Sequence, residues 1–217
     1  GIFEVLLGSN PAGHVAGLFG SEQIAIMTLT DRDVLHELCS RHLQVLRNRL
    51  RYLLERGIGP YFALAGQELL VPPLHGPKDF EDFCVRYDKP LIADVHDAGG
   101  FVHVHCHGSV KRVFGGFLDA GVDVLHPFEP PPQGDILPGE AKALARGRMC
   151  LEGNLQIADL YEKTPQQVRE LTESLIAEAF EDRCGLIVCS TASLYMRGRG
   201  ERCLPQVQAM VAAVQGR

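Results

Sequence analysis

The sequence predicts an α/β protein of the (β/α)8 TIM-barrel type, in incomplete form, on three observations. Short apolar runs alternate with longer amphipathic ones, the pattern of parallel strands joined by crossover helices. The ends of successive runs carry polar groups, as the catalytic mouth of a barrel requires. No GxGxxG follows the first run and no GxxxxGK(S/T) occurs anywhere, which weakens the nucleotide-binding forms of the alternative, an open doubly wound sheet.

The strands are expected at Tyr61–Ala65, Val102–Cys106, Val122–His126, Met149–Gly153 and Leu186–Cys189, with GIFEVLL at the start as a sixth. The helix expected over 31–56 puts Leu35, Leu38, Leu46, Leu50 and Leu53 on one face. A second pattern, 78–98, is expected to break or kink at Pro90, which cannot donate to the preceding turn. Further helices are expected at 109–120, 139–147, 164–182 and 204–214. Thr164-Pro165-Gln166-Gln167 has the form of a capping box, and Ser109 and Thr30 are candidate N-caps. Gly57, Gly99-Gly100 and Gly121 suit left-handed helix ends.

A length of 217 residues suits one large domain, so 1–217 reads as a single partial barrel. The formal charge of −6 argues against general affinity for nucleic acid or an anionic membrane surface. No apolar run approaches the ~20 residues that span a bilayer. GIFEVLLGSNPAG lacks the basic start of a signal peptide. Seven dispersed cysteines without a CxxC read as reduced thiols, and so as a cytoplasmic protein.

The strand ends hold the chemistry: Gln67 and Glu68, then His105, Cys106 and His107, then Glu129, then Glu152 and Asn154, then Cys189, Ser190 and Thr191. In HVHCHG, alternation sends His103, His105 and His107 to one face and Cys106 to the other, where a thiol acts as a small hydrophobe. His103 lies deepest and suits a hydrogen-bonded core role, while His105 and His107 form the reachable pair. H-x-H on a strand is one way to present two imidazoles to a metal, and substrate binding or a structural role are the others. Glu68 is a candidate base or ligand and equally a cap or solvated charge. Glu129 sits in the proline-stiffened PFEPPPQGD, suited to substrate positioning. His126 ends a strand.

The run GPYFALAGQELLVPPLHGPKDFEDFCVRYDKPLIADVHDAGGFVHVHCHGSV resembles the uroporphyrinogen decarboxylase superfamily. So do DAGVDVLHPFEPPPQGD, CLEGNLQ, the TPQQV helix start and PQVQAMVAAV, collinearly over most of residues 16–214. Within it the chain is most similar to the decarboxylase-like proteins related to cobalamin-dependent methyltransferases. The resemblance implies a (β/α)8 barrel with its site in the C-terminal mouth. Because it begins well inside the family's usual length, it also implies an N-terminally truncated barrel. An open parallel edge then calls for self-association, or for residues 1–29 to fold over the gap.

Two chemistries follow from the resemblance. The decarboxylases use no metal and rely on an arginine-bearing N-terminal motif that has no counterpart here. The methyltransferases hold zinc through an H-x-C pair and a later cysteine. That zinc deprotonates a thiol which attacks the methyl group on a corrinoid protein. By this pattern His105 takes the histidine position and His107 the cysteine position. Thr191 falls at the later thiolate position, which Cys189 reaches only by a local shift of register, and Glu68 could complete the set.

The resulting expectation is a metal-dependent, methyltransferase-like enzyme acting on a small molecule with a corrinoid protein as partner. Its zinc ligands are drawn from His105, His107, Glu68 and Cys189. Glu68 and Glu129 are its catalytic carboxylates, and Gln67, Glu152, Asn154 and Thr191 its substrate contacts. A metal-free decarboxylase of a porphyrinogen-like or other carboxylated substrate, and a truncated barrel without catalysis, are the alternatives.

Overall fold

Apolar runs too short for a helix become strands, and the amphipathic segments between them supply the covering helices. The computed structural model describes residues 2–194 and 197–216. They pack as two units, Gly1–Leu125 and His126–Arg217.

In the first unit β1 (Val5–Ser9), β2 (Tyr61–Ala65) and β3 (Phe101–His105) pair in parallel. Val5 lies opposite Phe62, and Ala65 opposite both Ser9 and His105, so the polar C-terminal ends of the three strands come level. The sixth strand expected in GIFEVLL is therefore real, displaced toward Ser9. Leu7, Phe62, Leu64, Val102 and Val104 are buried in the core of this unit. The helices are α1 (Pro11–Phe19), α2 (Ser21–Thr30), α3 (Arg32–Leu54), α4 (Pro77–Phe80), α5 (Arg86–Asp97) and α6 (Phe114–Ala120). Helix α3 buries Leu35, Cys39, Leu46 and Leu50, while Leu38 and Leu53 lie half-buried beside that stripe. Each fully buried leucine contributes roughly 1.5–3 kcal/mol of transfer free energy.

Three local expectations are corrected. Thr30 does not cap α3: its hydroxyl donates back to the Ile26 carbonyl (3.1 Å), ending α2 instead. Ser109 does not cap α6, which starts from a 3-10 turn at Lys111–Val113. The helix runs on through Pro90, and its irregularity lies before that residue, in a π turn at Glu81–Val85.

In the second unit β5 (Cys150–Leu155) and β6 (Leu186–Ser190) pair in parallel, with Leu151 opposite Leu186 and Asn154 opposite Cys189. Its helices are α7 (Pro138–Ala145), α8 (Ile157–Glu162), α9 (Pro165–Ala179) and α10 (Leu204–Gln215). The short β4 (Val124–His126) straddles the boundary between the units. Helix α9 starts as its sequence requires. The Gln167 amide donates to Thr164 Oγ1 (3.3 Å) and the Thr164 amide to Gln167 Oε1 (3.0 Å), so two otherwise orphaned N–H groups are satisfied. Among the described residues no helix is long and apolar enough to cross a membrane.

Among the described glycines of the first unit, Gly13 on α1 leaves the least room for a side chain. A Cβ there would lie 2.5 Å from the Gly66 carbonyl oxygen and 2.7 Å from Asn10 Oδ1. Gly13→Ala is therefore expected to lower stability by about 1–3 kcal/mol, despite the better helix propensity of alanine. Urea unfolding reads this directly, and an unchanged midpoint would contradict the close approach.

Candidate functional site

The C-terminal end of β2 turns through Gly66, whose φ of 102° is open to glycine and costly for other residues. The following 3-10 turn, Gln67–Leu70, carries two of the expected site residues. Glu68 accepts from the Gly66 amide at 3.0 Å, bracing its own turn. Gln67 is fully buried, and its Nε2 donates to Asp88 Oδ2 at 2.9 Å. Asp88, on α5, also accepts from Asn10 Nδ2 at 3.1 and 3.2 Å. Asn10 in turn caps α1 by accepting from the Gly13 amide (2.8 Å), and its own amide donates to the Ala65 carbonyl (2.7 Å).

Burial pushes the Asp88 carboxyl up to about 7, and the two amides pull it back only in part. Cys39 and Cys84 face the same carboxylate; burial first, and then Asp88, raises both thiols, Cys39 to about 12. Of this network the sequence marks Gln67 alone. A lone Asn10 in a glycine-rich segment and an Asp88 inside a helix carry no local sign of their meeting.

His105 and His107 do come together, their rings edge to face at 4.7 Å between centroids. His103 lies deeper, with Nδ1 2.8 Å from Glu4 Oε2. Cys106 is fully buried.

In the second unit the strand ends build a different cluster. His126, Glu152 and Cys189 each bring one ligand-capable atom within 4.8 Å of the other two. Among the described residues this is the group of three such side chains found close enough to share a metal ion. His126 is buried, and Glu152 and Cys189 are half-buried. The Cys189 thiol donates toward Glu152 Oε1 at 3.6 Å and the Ser190 carbonyl at 3.2 Å. Burial raises the Cys189 thiol strongly, and the Glu152 carboxylate raises it further. His126 Nε2 stands 3.1 Å from the Ser190 carbonyl, which can only accept, so Nε2 carries a proton.

Cys189 and Glu152 are both candidates from sequence, in separate roles, whereas His126 is marked there only as a strand end. Their convergence depends on register. Asn154 pairs with Cys189, so Glu152, two residues earlier, is its diagonal neighbour. Of the remaining candidates, Glu129 is buried and its carbonyl accepts from the Ile136 amide (3.1 Å), closing the proline loop. Thr191 is buried, and its hydroxyl accepts from the Ile157 amide (3.3 Å) at the start of α8. Asn154 is buried and lines a lateral cavity with Gln156.

Six strands with their intervening helices, and polar clusters at strand ends, define a TIM-barrel-type α/β protein. The solved structure of a methyltransferase from Methanosarcina mazei shares this fold at a TM-score of 0.74 and 18% identity, over 96% of this chain and 57% of that one. The chain thus spans little more than half the length of that relative. The family model described as uroporphyrinogen decarboxylase (URO-D) matches residues 12–216, and the chain belongs to that family. No curated protein matches it in sequence.

The Asp88 network carries a pH dependence of definite sign. Its folded carboxyl titrates at about 7, against 3.8 for an ordinary one, so the unfolded chain releases this proton first. The contribution to stability is full at low pH, declines as pH rises from 3.8 to about 7, and levels off beyond. The loss is on the order of a few kcal/mol in all. Urea midpoints between pH 5 and 8 should fall in the parent protein, and this contribution to the slope should vanish in Asp88→Asn. Equal slopes in the two proteins would remove Asp88 as the cause.

Proposed function

We propose that this chain is a zinc-dependent, methyltransferase-like member of the URO-D family, moving a methyl group to or from a corrinoid carried by a partner protein. The observation that carries the proposal is the His126–Glu152–Cys189 cluster, supported by the likeness to the Methanosarcina mazei methyltransferase. The family match crosses both units, which supports treating 1–217 as one TIM-barrel-type domain.

The donor set fits zinc. One imidazole, one carboxylate and one thiol match the nitrogen, oxygen and sulfur ligands that zinc accepts, and the sulfur disfavours magnesium or calcium. One ring nitrogen of His126 is held by a backbone carbonyl, as the outer nitrogen of a ligating histidine usually is. When bound, the ion would supply Lewis acidity, lowering the pKa of a substrate thiol or hydroxyl. Glu152 would orient the Cys189 thiol, which already points at its Oε1, and the thiol proton would pass to solvent as the ion binds.

In the first unit, His105 and His107 with Glu68 form the alternative ligand set, which the test below separates from the cluster. Gln67, Glu129 and Thr191 stiffen the surrounding turns and offer substrate contacts. Seven free thiols support a cytoplasmic setting. Exposed Ile2, Phe3 and Leu6 on and beside β1 support self-association. The name of the matching family favours one second reading, a metal-free decarboxylase.

Elemental analysis separates the ligand sets. About one zinc per chain is expected after reconstitution, lost in His126→Ala, Glu152→Gln and Cys189→Ser and kept in His105→Ala and His107→Ala. Loss in the last two with retention in the first three would move the metal to HVHCHG. No zinc in the parent protein would sink the zinc proposal. The zinc-loaded protein should demethylate methylcobalamin with a small thiol as acceptor, read by the corrinoid spectrum. Carbon dioxide release from a carboxylated substrate without demethylation would favour the decarboxylase.

A further inference from the structure

The first unit holds a pair of histidines that the candidate site does not use. His14 on α1 and His42 on α3 stack face to face, with ring centroids 3.8 Å apart and planes within 7° of parallel. His14 is exposed and His42 is half-buried. Neutral imidazoles stacked in this way attract through dispersion across their faces. The nitrogen lone pairs lie in the ring planes, so parallel rings do not aim them at a common point, and the pair is no chelate for a metal ion.

The charges around the pair have one sign. Burial first, and then His14, push His42 below the usual histidine range; the Ser9 backbone at the end of β1 opposes the shift and Arg49 adds to it. Arg49, two turns further along α3, donates to the Leu7 carbonyl of β1. Glu37 and Arg41, on the turn of α3 before His42, are engaged with each other at 2.7 Å. Among the described residues no carboxylate acts on His42. Gly13, the neighbour of His14, rests against the Gly66 carbonyl, and Gly66 opens the turn that carries Gln67 and Glu68. Whatever moves α1 therefore moves that turn.

We propose that the His14–His42 stack is an acid-sensitive clasp between α1 and α3. With at most one proton on the pair it holds α1 in place. A second proton sets two imidazolium rings against each other and loosens α1, together with the turn at Gly66. The device lies in the first unit and does not depend on the proposed zinc cluster.

Hydrogen exchange of the full chain at pH 7.5 and 5.0, corrected for the intrinsic rate and read on the amides of α1 and of the 66–70 turn, tests this. Both segments should exchange about tenfold faster at pH 5.0 in the parent protein, the scale set by two like charges about 4 Å apart beside water. His14→Phe, a change at an exposed position, keeps a neutral ring on the stack. It should remove the rise and raise the His42 midpoint read by imidazole NMR. His14→Lys carries a permanent charge and should loosen α1 already at pH 7.5 and lower that midpoint. Asp88 titrates in part of this range with the opposite sign, but it is common to all three proteins. Equal exchange of the parent protein at both pH values, an equal rise in His14→Phe, or a His42 midpoint indifferent to both substitutions would each overturn the proposal.

Discussion

A carboxylate buried without a cation has to be held by dipoles, and the first unit is organised around one that is. Asp88 receives the side-chain amides of Asn10 and Gln67 and, among the described residues, no arginine or lysine. Asn10 ties the end of β1 to the start of α1 and, through its main chain, to the end of β2. Gln67 adds the turn that carries Glu68. A single buried acid therefore fixes the relative positions of two strand ends, two helices and one candidate catalytic loop. The arrangement is costly, because burial raises the carboxyl against the pull of both amides. Asp88→Leu would remove that cost and, with it, the polar tie among these elements.

The second unit solves a related problem with different atoms. Glu152 and Cys189 stand on adjacent parallel strands, and the thiol satisfies the carboxylate by donating to it. Without a cation the cluster is self-consistent, a protonated thiol beside an acid with both partly shielded from water. The His126 ring is held in place by the contact of its Nε2 with the Ser190 carbonyl.

Legibility in the sequence follows range. The five-residue strands, the Thr164 box and the long stripe of α3 are written in local pattern, and all are present. Helices α1 and α2 are not legible, because their glycines and small residues blur a 3.6-residue period and their packing rests on Asn10. The π turn is hidden behind Pro90, the residue with the obvious chemical reason to break a helix. For the candidate site, the carriers can be named one strand at a time, but not who meets whom. That depends on parallel register, and a shift of one residue would turn Cys189 away from Glu152.

The same reasoning separates residues that carry chemistry from residues that merely sit where chemistry happens. Thr191 occupies the position where the family resemblance expects a thiolate, yet its hydroxyl is taken by the Ile157 amide at the entry to α8. Cys189, two residues earlier and within β6, keeps side-chain access to Glu152 and His126. The cost is burial, which raises the thiol; the compensation is a carboxylate and an imidazole in reach.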